Sequence, residues 1–236
     1  MRIVAWNLGH QTNERPIREG FEKVIAEIKP DILTLNEYVH GPSRTALLSS
    51  LAQIGLRYVL VSTQSGLNNQ VLIASRTKIV VGKVKAPSIS KAANTNFLHV
   101  HFPDEDLELV GMRVPAYKQA GQKDAYWHEF SQIAATVIKR RIIFMGDFNV
   151  DPARRYIGAR QLNQLVEAGW HLPSPEGPWS FISPRGASSR IDHALVSPSL
   201  GIVAARYVAE IGDMKLAGTD ETAFSDHAAL VVDIQI

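Results

Sequence analysis

Short apolar runs broken by polar turns dominate the chain, and their period switches repeatedly between that of a strand and that of a helix. RIVAWNL, near the start, is β-branched and aromatic, which predicts a buried strand stopping at Asn7, Gly9 and His10. A helix is expected from Asn13 onward, because Ile17, Phe21, Val24, Ile25 and Ile28 recur on one helical face and Pro30 ends the pattern. DILTL then reads as a compact strand carrying Asn36 and Glu37 at its far end. A loop with Gly41-Pro42 and a helix over 43–54 follow.

Between 57 and 113, the runs RYVLVS, QVLIAS, KIVVGKV, NFLHVHF and LELVGMR predict a meander of antiparallel strands, and the acidic stretch 103–106 reads as a solvated hairpin tip. A helix over 124–139 places Phe130, Ile133, Ala134, Val137 and Ile138 on its buried side and feeds the strand RIIFM. A short helix over 158–168, a loop rich in Pro and Gly, and the strands RIDHALVS, GIVAARYV and HAALVVDIQI complete the chain. This order predicts an α+β fold, a two-layer β core sandwiched by helices, over 1–236 as one domain.

Composition excludes several classes. With 236 residues, 45% hydrophobic and 20% charged, the chain is neither disordered nor fibrous. A net charge of +2 is too slight to diagnose nucleic-acid binding, so charge placement must decide. No stretch approaches the ~20 apolar residues that cross a bilayer. The opening MRIVAWNLGHQTNE lacks a signal-peptide apolar region, and the expectation is a soluble, cytoplasmic protein. Zero cysteines remove disulfides, thiolate nucleophiles and Cys-based zinc, leaving oxygens and imidazoles for any metal.

The polar residues collect where strands end. In RIIFMGDFNVDP the apolar strand ends in Asp147 and Asn149, which the two-residue period points to one side. In FSDHAALVVDI the order reverses, and Ser225, Asp226 and His227 stand at a strand's mouth; Asn7 and Glu37 close two more strands. Each motif alone is ordinary turn or cap chemistry. Turns, however, have no need of Glu37, nor of a His after Asp226. Hard oxygen donors without Cys suit Mg²⁺ or Mn²⁺, and phosphoester hydrolysis needs a metal to offset phosphate charge, a base for water, and donors for the oxygens in flight.

The set WN at 6–7, NE at 36–37, GDFN at 146–149, RIDH at 190–193 and SDH at 225–227 resembles the endonuclease/exonuclease/phosphatase superfamily along essentially the whole chain. The resemblance implies a four-layered α/β-sandwich and a metal-dependent phosphoesterase. It implies Glu37 as principal metal ligand, with Asn7 beside it binding metal water or orienting a neighbour. His227 is expected to contact the scissile phosphate or act as base, oriented by Asp192. Asp147 would position or deprotonate water or protonate the leaving oxygen, Asn149 would hold a phosphate oxygen, and Asp226 would support the metal or His227. The choice of base between Asp147 and His227 stays open.

The sequence departs from the DNA-repair members, which carry a Tyr-Val-Pro-Asn segment. Here the stretch is Arg113-Val114-Pro115-Ala116, and Arg113 is expected to grip a phosphate instead of the phenol. Gly9 stands where those members have an acid. Arg154, Arg155 and Arg160 follow GDFN, while Arg185 and Arg190 flank the loop with Trp179 and Phe181. Basic side chains among aromatics suit a nucleic-acid groove, with Arg154, Arg155, Trp179 and Arg190 as candidate substrate contacts. The expected reaction is hydrolysis of DNA or RNA. The alternatives are a phosphatase or phosphodiesterase on a small phosphoester or lipid headgroup, and an inactive nucleic-acid-binding module of the same fold.

Overall fold

The structure, a computed structural model, describes residues 1–10, 18–66, 69–117 and 119–236. The elements of the first half are β1 (Arg2–Asn7), α1 (Phe21–Ile28), β2 (Ile32–Tyr38), α2 (Arg44–Gln53), β3 (Tyr58–Val61), β4 (Gln70–Ser75), β5 (Val80–Val81), α3 (Lys91–Thr95), β6 (Phe97–Phe102) and β7 (Leu107–Arg113). Then come α4 (Ala120–Val137), β8 (Ile142–Asp147), α5 (Ile157–Glu167), β9 (Phe181–Ile182), β10 (Ser188–Ser189), β11 (Asp192–Val196), β12 (Gly201–Val208), β13 (Glu210–Ile211), β14 (Met214–Lys215) and β15 (Ala229–Gln235).

Two large mixed sheets stack face to face, one ordered β12-β15-β1-β2-β4-β3 and the other β11-β8-β7-β6-β5. Each is built around one parallel pair, β1 with β2 and β7 with β8, and each pair is joined through a helix, α1 or α4. The two βαβ units pack against each other through their strands. Alternation along the strands divides the apolar residues cleanly. Ile3, Ala5, Ile143 and Met145 enter the layer between the sheets. Val4 and Trp6 turn to the helix side of the first sheet, and Ile142 and Phe144 to that of the second. Because both faces are covered, these strands read as continuous apolar runs. Gly111 permits the closest approach, since a Cβ there would lie 2.4 Å from Thr34 Oγ1.

The α+β sandwich expected from the sequence is present, with several differences of detail. The predicted meander over 57–113 is divided: β3 and β4 complete the first sheet, while β5, β6 and β7 belong to the second. KIVVGKV shrinks to the two residues of β5, because the backbone beyond it wraps the ring of His99. Val84 N–H donates to His99 Nδ1 over 2.9 Å, and a Cβ on Gly82 would fall 1.9 Å from that nitrogen. α4 starts before the expected 124, and the expected helix start at Asn13, with Ile17, lies outside the described residues. Among the described residues, no helix is long and apolar enough to cross a membrane.

Candidate active site

The topology brings four carboxyl ends of parallel strands to one place. β1 ends at Asn7, β7 at Arg113 and β8 at Asp147, and β2 carries Glu37 as its penultimate residue. The antiparallel neighbours supply the rest: β11 begins with Asp192, in register with Asp147, and His227 lies just before β15, the antiparallel partner of β1.

Local backbone conformation aims these side chains. Glu37 has φ 54, in the left-handed region that costs a non-glycine residue, and the β2–β4 register slips between Leu35 and Tyr38 at this point. The kink turns the carboxylate out of the strand's alternation and into the site. Asn149 also has φ 51. Asp147 and Asn149 therefore meet through an Asx turn and not through the strand alternation expected from the sequence: Asn149 N–H donates to Asp147 Oδ1 over 2.8 Å, and its Nδ2 reaches Val114 O at 2.6 Å and Asp147 Oδ2 at 3.3 Å. Gly146 has φ 140, and a Cβ there would lie 2.1 Å from Met112 O and 2.6 Å from Asn36 Oδ1. Asn36 ties the sheets together, donating to Met112 O and accepting from Asp147 N–H.

The buried polar contacts form one network. Asn7 Nδ2 donates to Asp147 Oδ2 at 3.0 Å and lies 3.4 Å from both Glu37 Oε1 and His227 Nε2. Its Oδ1 accepts from Gly9 N–H, so the amide faces its neighbours as a donor. Arg113 Nε stands 2.8 Å from Glu37 Oε1 and 3.4 Å from Asp147 Oδ2, and His10 Nε2 is 3.0 Å from Glu37 Oε2. Across the site, Asp192 Oδ2 is 2.8 Å from His227 Nδ1. Asp192 is held by its N–H on Ser180 Oγ and by Tyr207 OH on its carbonyl. His227 is fixed by Trp6 Nε1–H on its carbonyl and by Ser225 Oγ, which accepts its N–H and donates to Asn7 O.

Electrostatics follow from this packing. Burial opposes ionisation of Glu37, but the His10 hydrogen bond and the Arg113 charge outweigh it and bring the carboxyl down to about 2. Burial and the Asp192 charge push Asp147 up to about 6, against His227 and Arg113. Burial pulls the His227 imidazolium down, yet the charge and hydrogen bond of Asp192, with Asp147 and Asp226, carry it up to about 9.

A cavity of 610 Å³ opens onto Glu37, Arg113, Asp147, Asn149, Asp226 and His227. Asn7 and Asp192 stand behind these residues. His10, Arg18, Phe181 and the turn bearing Asp220 and Glu221 also line the cavity. Of these, the sequence marks only Phe181, as an aromatic of the loop flanked by Arg185 and Arg190. The Phe181 ring lies 4.9 Å from that of His227. Asp226 is more open than Glu37, Asp147 and Asp192, with its side chain 42% exposed and Oδ1 3.9 Å from His227 Nε2.

The four candidate substrate contacts do not line this cavity. Trp179 packs against the core between the sheets. Arg190 is drawn to Pro175 O and stacks over Tyr207, lining a separate hollow of 270 Å³. Arg154 and Arg155 are exposed on the turn after Val150.

Two stacked mixed sheets between helices, with acids, amides and an Asp–His pair gathered at their strand ends, define a phosphoesterase-type sandwich. The chain matches the Endonuclease/Exonuclease/phosphatase family over residues 4–227 and belongs to it. No curated protein matches it in sequence. Among solved structures it is similar to an AP endonuclease from Archaeoglobus fulgidus, with TM-score 0.77, 18% identity and 100% of each chain covered. It is also similar to NExo from Neisseria, a 3′ phosphatase solved with a product DNA hairpin, with TM-score 0.73, 18% identity and 100% of each chain covered. The same holds for the Neisseria meningitidis form described as a 3′-5′ exonuclease.

Proposed function

We propose that this chain hydrolyses phosphodiester bonds in nucleic acid, DNA first and RNA second, with the help of Mg²⁺ or Mn²⁺. The observation that carries the reading is the convergence of Asn7, Glu37, Arg113 and Asp147 from four parallel strand ends onto a cavity shared with the Asp192–His227 pair.

The donor set fits a hard divalent cation. Glu37 is an ionised carboxylate at the cavity, and every partner it has is a cation or an N–H donor. Among the described residues, no three His, Asp or Glu side chains form a ready-made cage. Mg²⁺ commonly uses one or two carboxylates, with water and substrate phosphate for the remainder. Glu37 would hold the ion, with Asp226 as second carboxylate, and the ion would offset charge on the phosphate. Asn7, as placed, acts as an orienting donor to Asp147 and Glu37, and this favours the second of its two expected roles.

The remaining work falls to the chain's own groups. With Nδ1–H committed to Asp192, the imidazolium of His227 donates from Nε2 to a phosphate oxygen. Asp147, aligned by Asn7 and Asn149, takes the proton of the attacking water. Arg113 lines the same cavity and holds the other phosphate oxygens, while Asn149, with its amide hydrogens on Val114 O and Asp147 Oδ2, orients Asp147 instead of the phosphate.

Support for a nucleic-acid substrate comes from the Asn149 side of the cavity. Lys123 Nζ donates to Asn149 O and sits 5.8 Å from the ring centroid of Tyr156, which is 57% exposed. Arg154 and Arg155 precede Tyr156, so cations surround an open aromatic face next to the site, as strand-stacking surfaces require. NExo, of the same fold, is solved with a product DNA hairpin. A second reading, a phosphatase for small phosphoesters, is favoured by Asp220 and Glu221, which line the cavity and would repel a polyanion crossing that side.

The test is hydrolysis of end-labelled single- and double-stranded DNA and RNA with Mg²⁺ or Mn²⁺ against EDTA. Metal-dependent cleavage supports a nuclease, and its ladder separates endo from exo attack. Cleavage of small phosphoesters alone would move the assignment to the second reading. Silence on both would favour a binding module.

A further inference from the structure

Glu37 is the carboxylate on which a metal at this site would depend, yet both of its oxygens already sit in ion-pair contacts, the one to Arg113 Nε being charge proximity without a hydrogen bond. Oε1 lies 2.8 Å from Arg113 Nε and 3.4 Å from Asn7 Nδ2, and Oε2 lies 3.0 Å from His10 Nε2. The guanidinium is not a passing surface charge. Its side chain is only 14% exposed, its Nε also faces Asp147 Oδ2 at 3.4 Å, and its backbone N–H is tied to Asn96 O at 2.9 Å. Two neighbouring carboxylates repel each other unless a cation stands between them. Arg113 supplies that cation from within the chain.

We propose that Arg113 is a resident counter-ion for Glu37 and Asp147, and that a divalent cation must displace its guanidinium from Glu37 Oε1 to bind. The freed guanidinium has a natural next partner in the tetrahedral oxyanion of the substrate, which it can hold by two parallel hydrogen bonds. Metal and phosphate therefore load cooperatively: each makes room or charge for the other, and by linkage the strengthening is equal in both directions. Metal alone binds weakly, because its gain at Glu37 is set against the loss of the Arg113 pair. This inference rests on the metal-dependent reading above, and it assigns Arg113 a role in metal-free protein as well as against phosphate.

The test is calorimetric titration of Mn²⁺ into the folded protein, in chloride and in sulfate at matched ionic strength, with sulfate standing in for the scissile phosphate. Wild type is expected to bind Mn²⁺ weakly in chloride and several-fold more tightly in sulfate. Arg113→Gln is expected to bind Mn²⁺ on the order of tenfold more tightly than wild type in chloride and to lose the sulfate effect, because a positive charge a few ångströms from the ion has gone. Arg113→Lys keeps a cation and is expected to stay near wild type in chloride. Equal Mn²⁺ affinity in wild type and Arg113→Gln, with no response to sulfate, would overturn the proposal. If Arg113→Gln does not fold, the sulfate dependence of wild type decides. Absence of Mn²⁺ binding in every folded form would remove the metal-dependent reading itself, and this proposal with it.

Discussion

Asp192 Oδ2 and His227 Nδ1 lie 2.8 Å apart with both side chains buried, so the imidazole turns its other nitrogen, Nε2, to the cavity, 3.4 Å from Asn7 Nδ2 and 3.9 Å from Asp226 Oδ1. The pair joins the two sheets, Asp192 opening β11 and His227 standing before β15. Its alignment depends on Ser180, Tyr207, Trp6 and Ser225, none of which needs to touch a substrate.

Asp192→Asn should keep the fold and lower turnover by ~10²–10⁴-fold, since the amide neither fixes the tautomer nor balances an imidazolium. Steady-state kinetics on the best substrate checks this, with circular dichroism as the control for folding.

The same pair sets a pH dependence of stability. The folded His227 pKa, about 9, is raised above its ordinary 6.5. The pair's stabilisation is therefore complete below about pH 6.5 and is lost as pH rises through about 9. Denaturant unfolding of metal-free protein should show the gap between wild type and Asp192→Asn to be widest near pH 6 and to narrow towards pH 10. A gap that widens with pH would contradict the assignment.

Gly146→Ala should destabilise the protein by roughly 2 kcal/mol or more, because φ 140 and Met112 O leave no room for a Cβ. Chemical denaturation measures it directly. The glycine of GDFN thus holds β8 against Met112 and Asn36 just before Asp147, and Asn36 in NE is the matching tie from β2.

Tyr156→Ala should weaken cleavage of single-stranded nucleic acid through KM, by about 5- to 100-fold if one base stacks there. Turnover of a small phosphoester should not change, because Tyr156 is outside the cavity. An equal loss on both substrates would remove the stacking role.

Much of the site was legible because its residues end apolar strands: Asn7, Glu37, Asp147 and His227 each interrupt an otherwise continuous run. Arg113 was legible only through the family resemblance, as the residue standing where the DNA-repair members carry the tyrosine of Tyr-Val-Pro-Asn. His10, Arg18 and the 218–223 turn were not, since they reach the cavity by chain path and no local pattern marks them. Trp179 and Arg190 illustrate the opposite failure. Sequence proximity to the site suggested substrate contact, but the half-buried indole packs on the layer between the sheets, and Pro175 O with the Tyr207 ring claimed the guanidinium. The backbone kinks at Glu37 and Asn149 were also hidden, because a left-handed φ at Glu has no sequence signature. The division of the 57–113 strands between two sheets follows from packing over distance, which strand propensity alone does not encode.

The most direct measurement of the central claim is the single-turnover rate of phosphodiester cleavage, with Mg²⁺ present, in wild type and in Asp147→Asn. The substitution keeps the shape and the Asn149 turn but removes the carboxylate that faces Asn7 and Arg113. The account predicts metal-dependent cleavage by wild type and a loss of at least ~10²-fold in the folded variant. Cleavage at the wild-type rate by Asp147→Asn would show that the chemistry does not run through this site.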